Sequence, residues 1–494
     1  MTNKTSAHDR KWLGLFAVLA ATIMNLLDST VATVAAPAIR ADLGGSYASL
    51  QWIAASYTLA LAVGLLTGGR LGDMFGRRRM LFIGIVGFVV ASLLCAGAWS
   101  PESLIAARVL QGLFGAVMIP QGFGLIRDMF PPHEIGKAFG AFGPVIGLAT
   151  ILGPIVAGLL VDADLFGTGW RAVFAINLPI GAFALLAGVR ALPAGITPDG
   201  RTLKLDVGGA LLAGTGMLML VYPLVQGREL GWPAWSLALL AGAVVVLGIF
   251  VVTQLRRKRS GRTPLVELSV FTKRSYTSGV IFVVAFFAAI VGFSLAVGLL
   301  LQLGMGFSPL RASLTMASWA VGAFLGTGFA AATMAKLGRR VLHVGLTVIA
   351  VGLGWLYLVL DAKGTAFDGG DLVAPLLVFG LGMGMIFVPL FDVIMGEVAD
   401  HEVGSASGML ESIQQLAASL GVAALGTVFF GIVGTRFEAA VFVDAARVVT
   451  LATIGLVAVA FALGFLLPRK ARVHAPAAEV QAVSPEVVRE AVAA

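Results

Sequence analysis

The sequence predicts an all-α polytopic membrane protein of fourteen transmembrane helices, set out as two six-helix bundles and an inserted hairpin. Three observations carry this. The chain of 494 residues is 58% hydrophobic and only 12% charged, where a soluble protein carries about 25% charged residues. Its apolar runs reach the ~20 residues that cross a bilayer as a helix. The alternating ten-residue segments of a transmembrane barrel do not occur.

In chain order the spans fall at 12–37, 49–68, 79–99, 103–126, 136–161, 170–190, 206–226, 235–255, 276–302, 310–335, 340–360, 371–395, 404–433 and 446–467. The first begins like a signal peptide, with Lys4, Arg10 and Lys11 ahead of the apolar run. That run continues to Ile39 and carries Asp28, so it reads as the first membrane helix. Glycine is frequent within the spans, 63 in the whole chain, as packed membrane helices require.

An even number of spans puts both termini on one side. Of the 34 Lys and Arg residues, 26 fall in segments on that side and 7 on the other, with Arg108 inside a span. The positive-inside rule then places both termini in the cytoplasm, as a multi-pass protein of the cell membrane. It also explains the net charge of +8 with no nucleic acid as partner. The expected divisions are an N-terminal bundle 1–190, a hairpin 191–255, a basic cytoplasmic linker 256–275, a C-terminal bundle 276–468 and a cytoplasmic tail 469–494. The tail is rich in Ala, Val, Glu and Pro and reads as disordered or as a weak surface helix.

The densest charge cluster of the first half is GGRLGDMFGRRRML at 68–81. The loop AKLGRRVL at 335–342 echoes it. Each follows the second helix of a six-helix set, and repeated halves with a site between them are a transporter plan.

Ionisable residues inside spans default to functional candidates because they are costly there. Asp28 lies roughly 24 Å into the first helix and Arg108 roughly 8 Å into the fourth from the opposite side. The two share a depth, so they can pair. Such a pair either gains and loses a proton during a cycle or fixes helix packing as a static ion pair. Glu411, roughly 10 Å into the thirteenth helix, is a second protonation or cation site, or a charge that reaches back to the surface. Asp392 and Glu397 read as end-of-helix charges near headgroups. Gly143, Pro144, Gly147, Gly153, Pro154 and Gly158 predict a bent, closely packed fifth helix. Gln111, Phe286, Trp319, Phe387 and Gln415 are candidates for lining a substrate cavity.

Several chemistries are excluded. No G-x-x-x-x-G-K-[ST] is present to hold nucleotide phosphates, and HEIGK at 133 and HEVGS at 401 lack the second His of a zinc motif. The single cysteine, Cys95, excludes an intrachain disulfide and a multi-Cys metal site; its place in an apolar helix reads as packing. The expectation is a protein that is not an enzyme, binds no metal or cofactor, and draws on an ion gradient.

Residues 68–81 are similar to the loop signature of the major facilitator superfamily at Gly69, Leu71, Asp73, Gly76, Arg77 and Arg78, with Met74 where a basic residue is usual. Arg108, Gln111, Gly112, Gly115 and Ala116 resemble that family's fourth-helix signature, tied there to proton coupling. Gly153, Pro154 and Gly158 resemble its antiporter signature, with departures at Ala149 and Ala157. LDSTVATVAAPAI (27–39), with Thr33 for the usual Asn, resembles the fourteen-helix drug/proton antiporter branch, as do WRAVFAINLPIG (170–181) and residues 404–429.

The resemblance implies the major facilitator fold and proton-coupled efflux of drugs or other hydrophobic or cationic small molecules by alternating access. The proton gradient stands in place of a cofactor, and one chain in the bilayer is the working unit. It implies proton coupling at Asp28 and Arg108, with Glu411 added from its position alone. Other readings are a selective exporter of one self-made antibiotic, an uptake symporter and a non-transporting receptor. Gly69, Asp73, Gly76, Arg77 and Arg78 then read as a latch, with Asp73 and Arg77 pairing across the loop or with Arg127 and Asp128, and Asp73 facing a helix N-terminus of the other half.

Overall fold

A computed structural model describes residues 2–131, 134, 138, 149, 152–193, 205–398, 402–436 and 438–468. The described residues form helices and turns, without a strand. The helices are α1 (Thr2–Leu43), α2 (Tyr47–Phe75), α3 (Arg77–Ala96), α4 (Pro101–Met129), α5 (Leu152–Ala163), α6 (Gly169–Ala191), α7 (Val207–Gln226), α8 (Ala234–Arg259), α9 (Arg274–Leu299), α10 (Pro309–Leu337), α11 (Arg340–Lys363), α12 (Gly369–Met395), α13 (Val403–Val433) and α14 (Ala439–Gly464). Among the described residues 13 helices are long and apolar enough to cross a membrane. The shorter α5 is the described end of the span expected at 136–161. Gly143, Pro144, Gly147, His133, His401 and the tail 469–494 lie outside the described residues, as do the side chains of Thr33 and Arg127.

Polar residues start the helices where the chain turns back. Ser46 caps α2, Ser308 caps α10 and Asp206 caps α7, each accepting a backbone N–H three residues on. Ser100 with Ser103, and Asp368 with Asp371, close reciprocal capping boxes on α4 and α12. Each cap satisfies donors that the first helical turn leaves free.

The two halves repeat one packing plan. In the N-terminal half α2 lies along α4, α3 along α4 and α1 along α6; in the C-terminal half α10 lies along α12, α11 along α12 and α9 along α14. The second and fourth helices of each half therefore pair, and both pairs meet on glycines. A Cβ at Gly68 would stand 2.0 Å from the Ala116 carbonyl oxygen, and one at Gly380 would stand 1.9 Å from the Trp319 carbonyl oxygen. Glycine here brings the helix backbones into contact.

The two echoing loops are also alike. Gly76 ends α2 at φ 91° and Gly338 ends α10 at φ 51°, a region L side chains rarely enter. Arg78 then donates to the Val189 carbonyl at the end of α6 (2.9 Å), and Arg339 donates to the Phe465 carbonyl just past α14 (2.9 Å). Each arginine satisfies a free carbonyl, and meets the negative dipole end, of the sixth helix in its half.

The hairpin α7–α8 is wedged against both halves, with α7 packed on α2 and α13. At its tip Gln226 accepts from Trp52 (3.3 Å), Glu229 accepts from the Ala48 N–H (2.8 Å), and Arg228 donates to the Phe430 carbonyl (3.4 Å). At its base Gln254 donates to Asp206 (2.7 Å) and accepts the Leu265 N–H (2.6 Å). Arg70 of α2 donates to the Pro264 carbonyl, and Ser269 donates to Glu402 in the α12–α13 turn. The linker 256–275 is thus tied to α2, α8 and the C-terminal half.

The halves meet on two seams. Along the first, α2 lies on α13: Tyr47 stacks on Phe430 at 4.3 Å, Gln51 donates to the Val422 carbonyl (3.3 Å), Ser419 donates to the Ala55 carbonyl (3.1 Å), and Ser412 donates to the Ala62 carbonyl. Along the second, α5 meets α10. A Cβ at Gly158 would stand 2.7 Å from Leu310 Cα, and Asp162 accepts the Leu310 N–H (3.2 Å). Both seams join the halves on the face opposite the start of α1 and the end of α14.

Candidate functional site

Asp28 and Arg108 are brought together in the interior of the N-terminal half, where they form an ion pair. Asp28 is 1% exposed and Arg108 0%. The other Asp28 oxygen accepts from Gln111 (2.6 Å) and Asn177 (3.1 Å). Arg108 also donates to Gln111 (2.7 Å) and to the Ile53 carbonyl (3.3 Å). Its guanidinium lies 4.2 Å from the centre of the Tyr57 ring, a cation–π contact strengthened by the dry surroundings. Ser92 receives hydrogen bonds from Gln111 (2.8 Å) and Asn177 (3.1 Å), and the Tyr57 hydroxyl donates to Asn25. The cluster thus draws on α1, α2, α3, α4 and α6.

Several members were not singled out from the sequence: Asn177, Ser92, Tyr57 and Asn25. The signal for Asn177 was a lone amide within the apolar run FAINLPIG, where an unpaired amide is costly. Cys95 packs with its Sγ 3.5 Å from the Gln111 Oε1.

Other sequence candidates are placed as follows. Gln111, expected on a substrate cavity, is 0% exposed and closed inside this polar cluster, because Asp28, Arg108 and Ser92 use its amide. Phe286 is buried between Phe282 and Phe287, and Phe287 meets Phe387, whose ring is exposed. Trp319 packs its edge on Phe379 and points its N–H at the Met383 sulfur (3.0 Å). Gln415 and Glu411 are half-buried on α13. Glu397 accepts the Ser275 N–H (3.0 Å) at the start of α9, so it serves as a cap rather than reaching for headgroups. Gly153 lies against Leu27 and Thr30 of α1, while Gly158 supports the seam with α10.

Of the latch residues, Arg77 pairs with Asp73 (3.4 Å) and with Asp128 (3.5 Å). Asp73 is exposed, and among the described residues it pairs with Arg77 in its own half. Gly69 has room beside Pro120. The stretch reaches beyond its own half at Arg70, through the linker.

A helical chain with repeated halves and a buried intramembrane ion pair fits one family, whose model matches residues 18–422 under the description Major Facilitator Superfamily. The chain belongs to the Major Facilitator Superfamily. It is a membrane transporter, not an enzyme, and among the described residues no group of three or more His, Cys, Asp or Glu is placed to hold a metal ion. Similar proteins include a probable actinorhodin transporter of Streptomyces coelicolor, 51% identical over 89% of this chain and 76% of that one. A tetracenomycin C resistance and export protein of Streptomyces glaucescens is 34% identical over 98% of this chain and 85% of that one. Among solved structures, a bacterial homologue of the human lysosomal transporter Spinster, inward-facing and unoccupied, matches with a TM-score of 0.64 at 16% identity, over 92% of this chain and 96% of that one. That likeness is one of fold.

Proposed function

We propose that this chain exports hydrophobic or cationic small molecules by alternating access, driven by protons returning into the cell. The observation that carries the reading is the Asp28–Arg108 pair, enclosed by helices in the membrane interior, where a charged side chain is costly and marks a functional site. In this reading Asp28 takes up and releases the proton. Its loss of charge frees Arg108, Gln111 and Asn177 to shift partners, which moves α1 against α4 and α6. The names of the relatives, an antibiotic transporter and an antibiotic resistance and export protein, support export of small molecules. The 26-to-7 split of basic residues supports cytoplasmic termini.

In proteoliposomes with an imposed pH gradient, Asp28→Asn is expected to cut gradient-driven export about tenfold or more, a loss that needs only ~1.4 kcal/mol. A variant that keeps the native rate sinks the proton role. The high identity to a transporter of one named antibiotic also favours a narrower reading, a selective exporter of a single natural product. A substrate panel in the same vesicles separates the two.

The Asp73 stretch is proposed as the latch of the outward-facing state. Its exposed pair with Arg77 is worth at most about 1 kcal/mol. Asp73→Asn is therefore expected to slow turnover by roughly twofold to fivefold with substrate affinity kept. Lost binding in a folded variant contradicts a latch.

A further inference from the structure

The inserted hairpin turns on a pair of opposite charges, Arg228 and Glu229, 3.7 Å apart. Each meets the helix end that suits its sign. Glu229 accepts the Ala48 N–H in the first turn of α2 (2.8 Å), at the positive end of that helix's dipole. Arg228 donates to the Phe430 carbonyl in the last turn of α13 (3.4 Å), at the negative end. The two helices belong to different halves, so one short turn touches both.

Beside this turn the side chains stack across the seam. The Arg40 guanidinium of α1 lies 4.3 Å from the centre of the Tyr47 ring, Tyr47 stacks on Phe430 at 4.3 Å, and the Arg228 guanidinium lies 5.7 Å from the centre of the Phe430 ring. Both rings are buried. Two cations thus each meet one ring of an aromatic pair whose members come from opposite halves. The ladder runs along the face where α1 ends, α2 begins and α13 ends.

The holds on α2 and on α13 differ in extent. On α2 the hold runs the whole length of the hairpin and linker. Glu229 and Gln226 make it at the tip, and a Cβ at Gly214, midway along α7, would stand 3.1 Å from Val63. At the base Arg70 donates to the Pro264 carbonyl. On α13 the hydrogen bonds from the hairpin fall within the last two turns, at Thr427 and Phe430. The Arg228 bond is long, and its Nε is buried without a hydrogen-bond partner among the described residues. A grip of one long hydrogen bond and one ring contact is light enough to break and re-form.

We propose that the hairpin is a keeper for this seam: it travels with α2 and the N-terminal half, and its tip holds the end of α13 until that face opens. Opening parts Tyr47 from Phe430 and Arg228 from α13, while Glu229 stays on α2. The proposal rests on the alternating access of the exporter reading, and it gives the two added helices a task in that cycle.

The test is distance measurement by pulsed electron spin resonance on the purified full-length protein in detergent. Spin labels are placed at Ala41→Cys, near the end of α1, and at Thr435→Cys, in the turn after α13, both exposed positions, in a Cys95→Ala background. The background is expected to show a short distance as its major population and a longer one as its minor. Arg228→Gln is expected to raise the long-to-short ratio by about twofold to fivefold, as loss of one charge at a helix end allows. Tyr47→Leu, which removes the ring and keeps apolar bulk, is expected to raise it by about twofold to tenfold. Lys363→Gln breaks an exposed ion pair within the C-terminal half and is expected to leave the ratio unchanged. In both seam variants a label at Leu230→Cys on the tip is expected to keep its distance to Ala41→Cys and to move away from Thr435→Cys. Glu229→Gln, by contrast, is expected to broaden the distance from Leu230→Cys to Ala41→Cys. Seam variants that run as a monodisperse peak and keep the background ratio overturn the proposal, as does a tip label that follows Thr435→Cys. No gradient or substrate enters, so loss of export in vesicles with these shifts intact counts against the exporter reading alone.

Discussion

Arg108→Ala is expected to abolish export and to remove most folded protein from the membrane. Arg108 is fully buried and gathers Asp28, Gln111, the Ile53 carbonyl and the Tyr57 ring around one guanidinium. Truncation leaves the Asp28 carboxylate buried without its counter-charge, at a cost of about 3–5 kcal/mol. Whole domains are held by only about 5–15 kcal/mol. The double variant Asp28→Asn with Arg108→Gln removes both charges and keeps polar atoms in place. It is expected to regain folded protein, read as a monodisperse peak and a thermal transition in detergent, without regaining coupled flux. Arg108→Ala protein that melts with the wild type would show that the pair does not hold the half together.

A methyl group at Gly68 or Gly380 is expected to destabilise the chain by about 1–3 kcal/mol each. The atoms in the way are the carbonyl oxygens of Ala116 and Trp319, at 2.0 and 1.9 Å. Backbone cannot turn aside as a side chain can, so α2 must leave α4, or α12 must leave α10. Gly354→Ala is the matched control. It lies in α11 with nothing within 4 Å of an added Cβ, and alanine there favours the helix by up to about 1 kcal/mol. Thermal melting in detergent should therefore drop for Gly68→Ala and Gly380→Ala and hold or rise for Gly354→Ala. Equal shifts in all three would mean that the close backbone contact carries no weight.

How much of this was legible in the chain depends on range. The spans are set by runs of apolar residues, so hydropathy found them, and Gly76 and Gly338 end helices where the echoing loops placed them. The Asp28–Arg108 pair was legible because charge inside a membrane helix has few tolerable partners, and depth along two helices matched. The amides around it were not. Asn177 and Gln111 join Asp28 through the angles at which α1, α4 and α6 pack, and nothing local in sequence encodes those angles. Gln111 was assigned to a substrate surface because its type suits one, whereas its partners enclose it. For Glu411 the depth was legible and the azimuth was not. Its direction follows from Ser412 and Ser419 against α2, Gly421 against α9 and Thr427 against α7.

The inserted hairpin bears on how a solute enters. Two rigid halves that rock about a central space leave a slot to lipid on each flank, and a greasy molecule dissolved in the bilayer can slip through such a slot sideways. Here α7 lies in the groove where α2 meets α13, pinned at its tip by Trp52, Glu229 and Arg228 and at its base by Asp206 and Gln254. That flank is walled. The added pair of helices therefore covers one flank against the bilayer, a cover that the packing plan shared by the two halves does not itself supply.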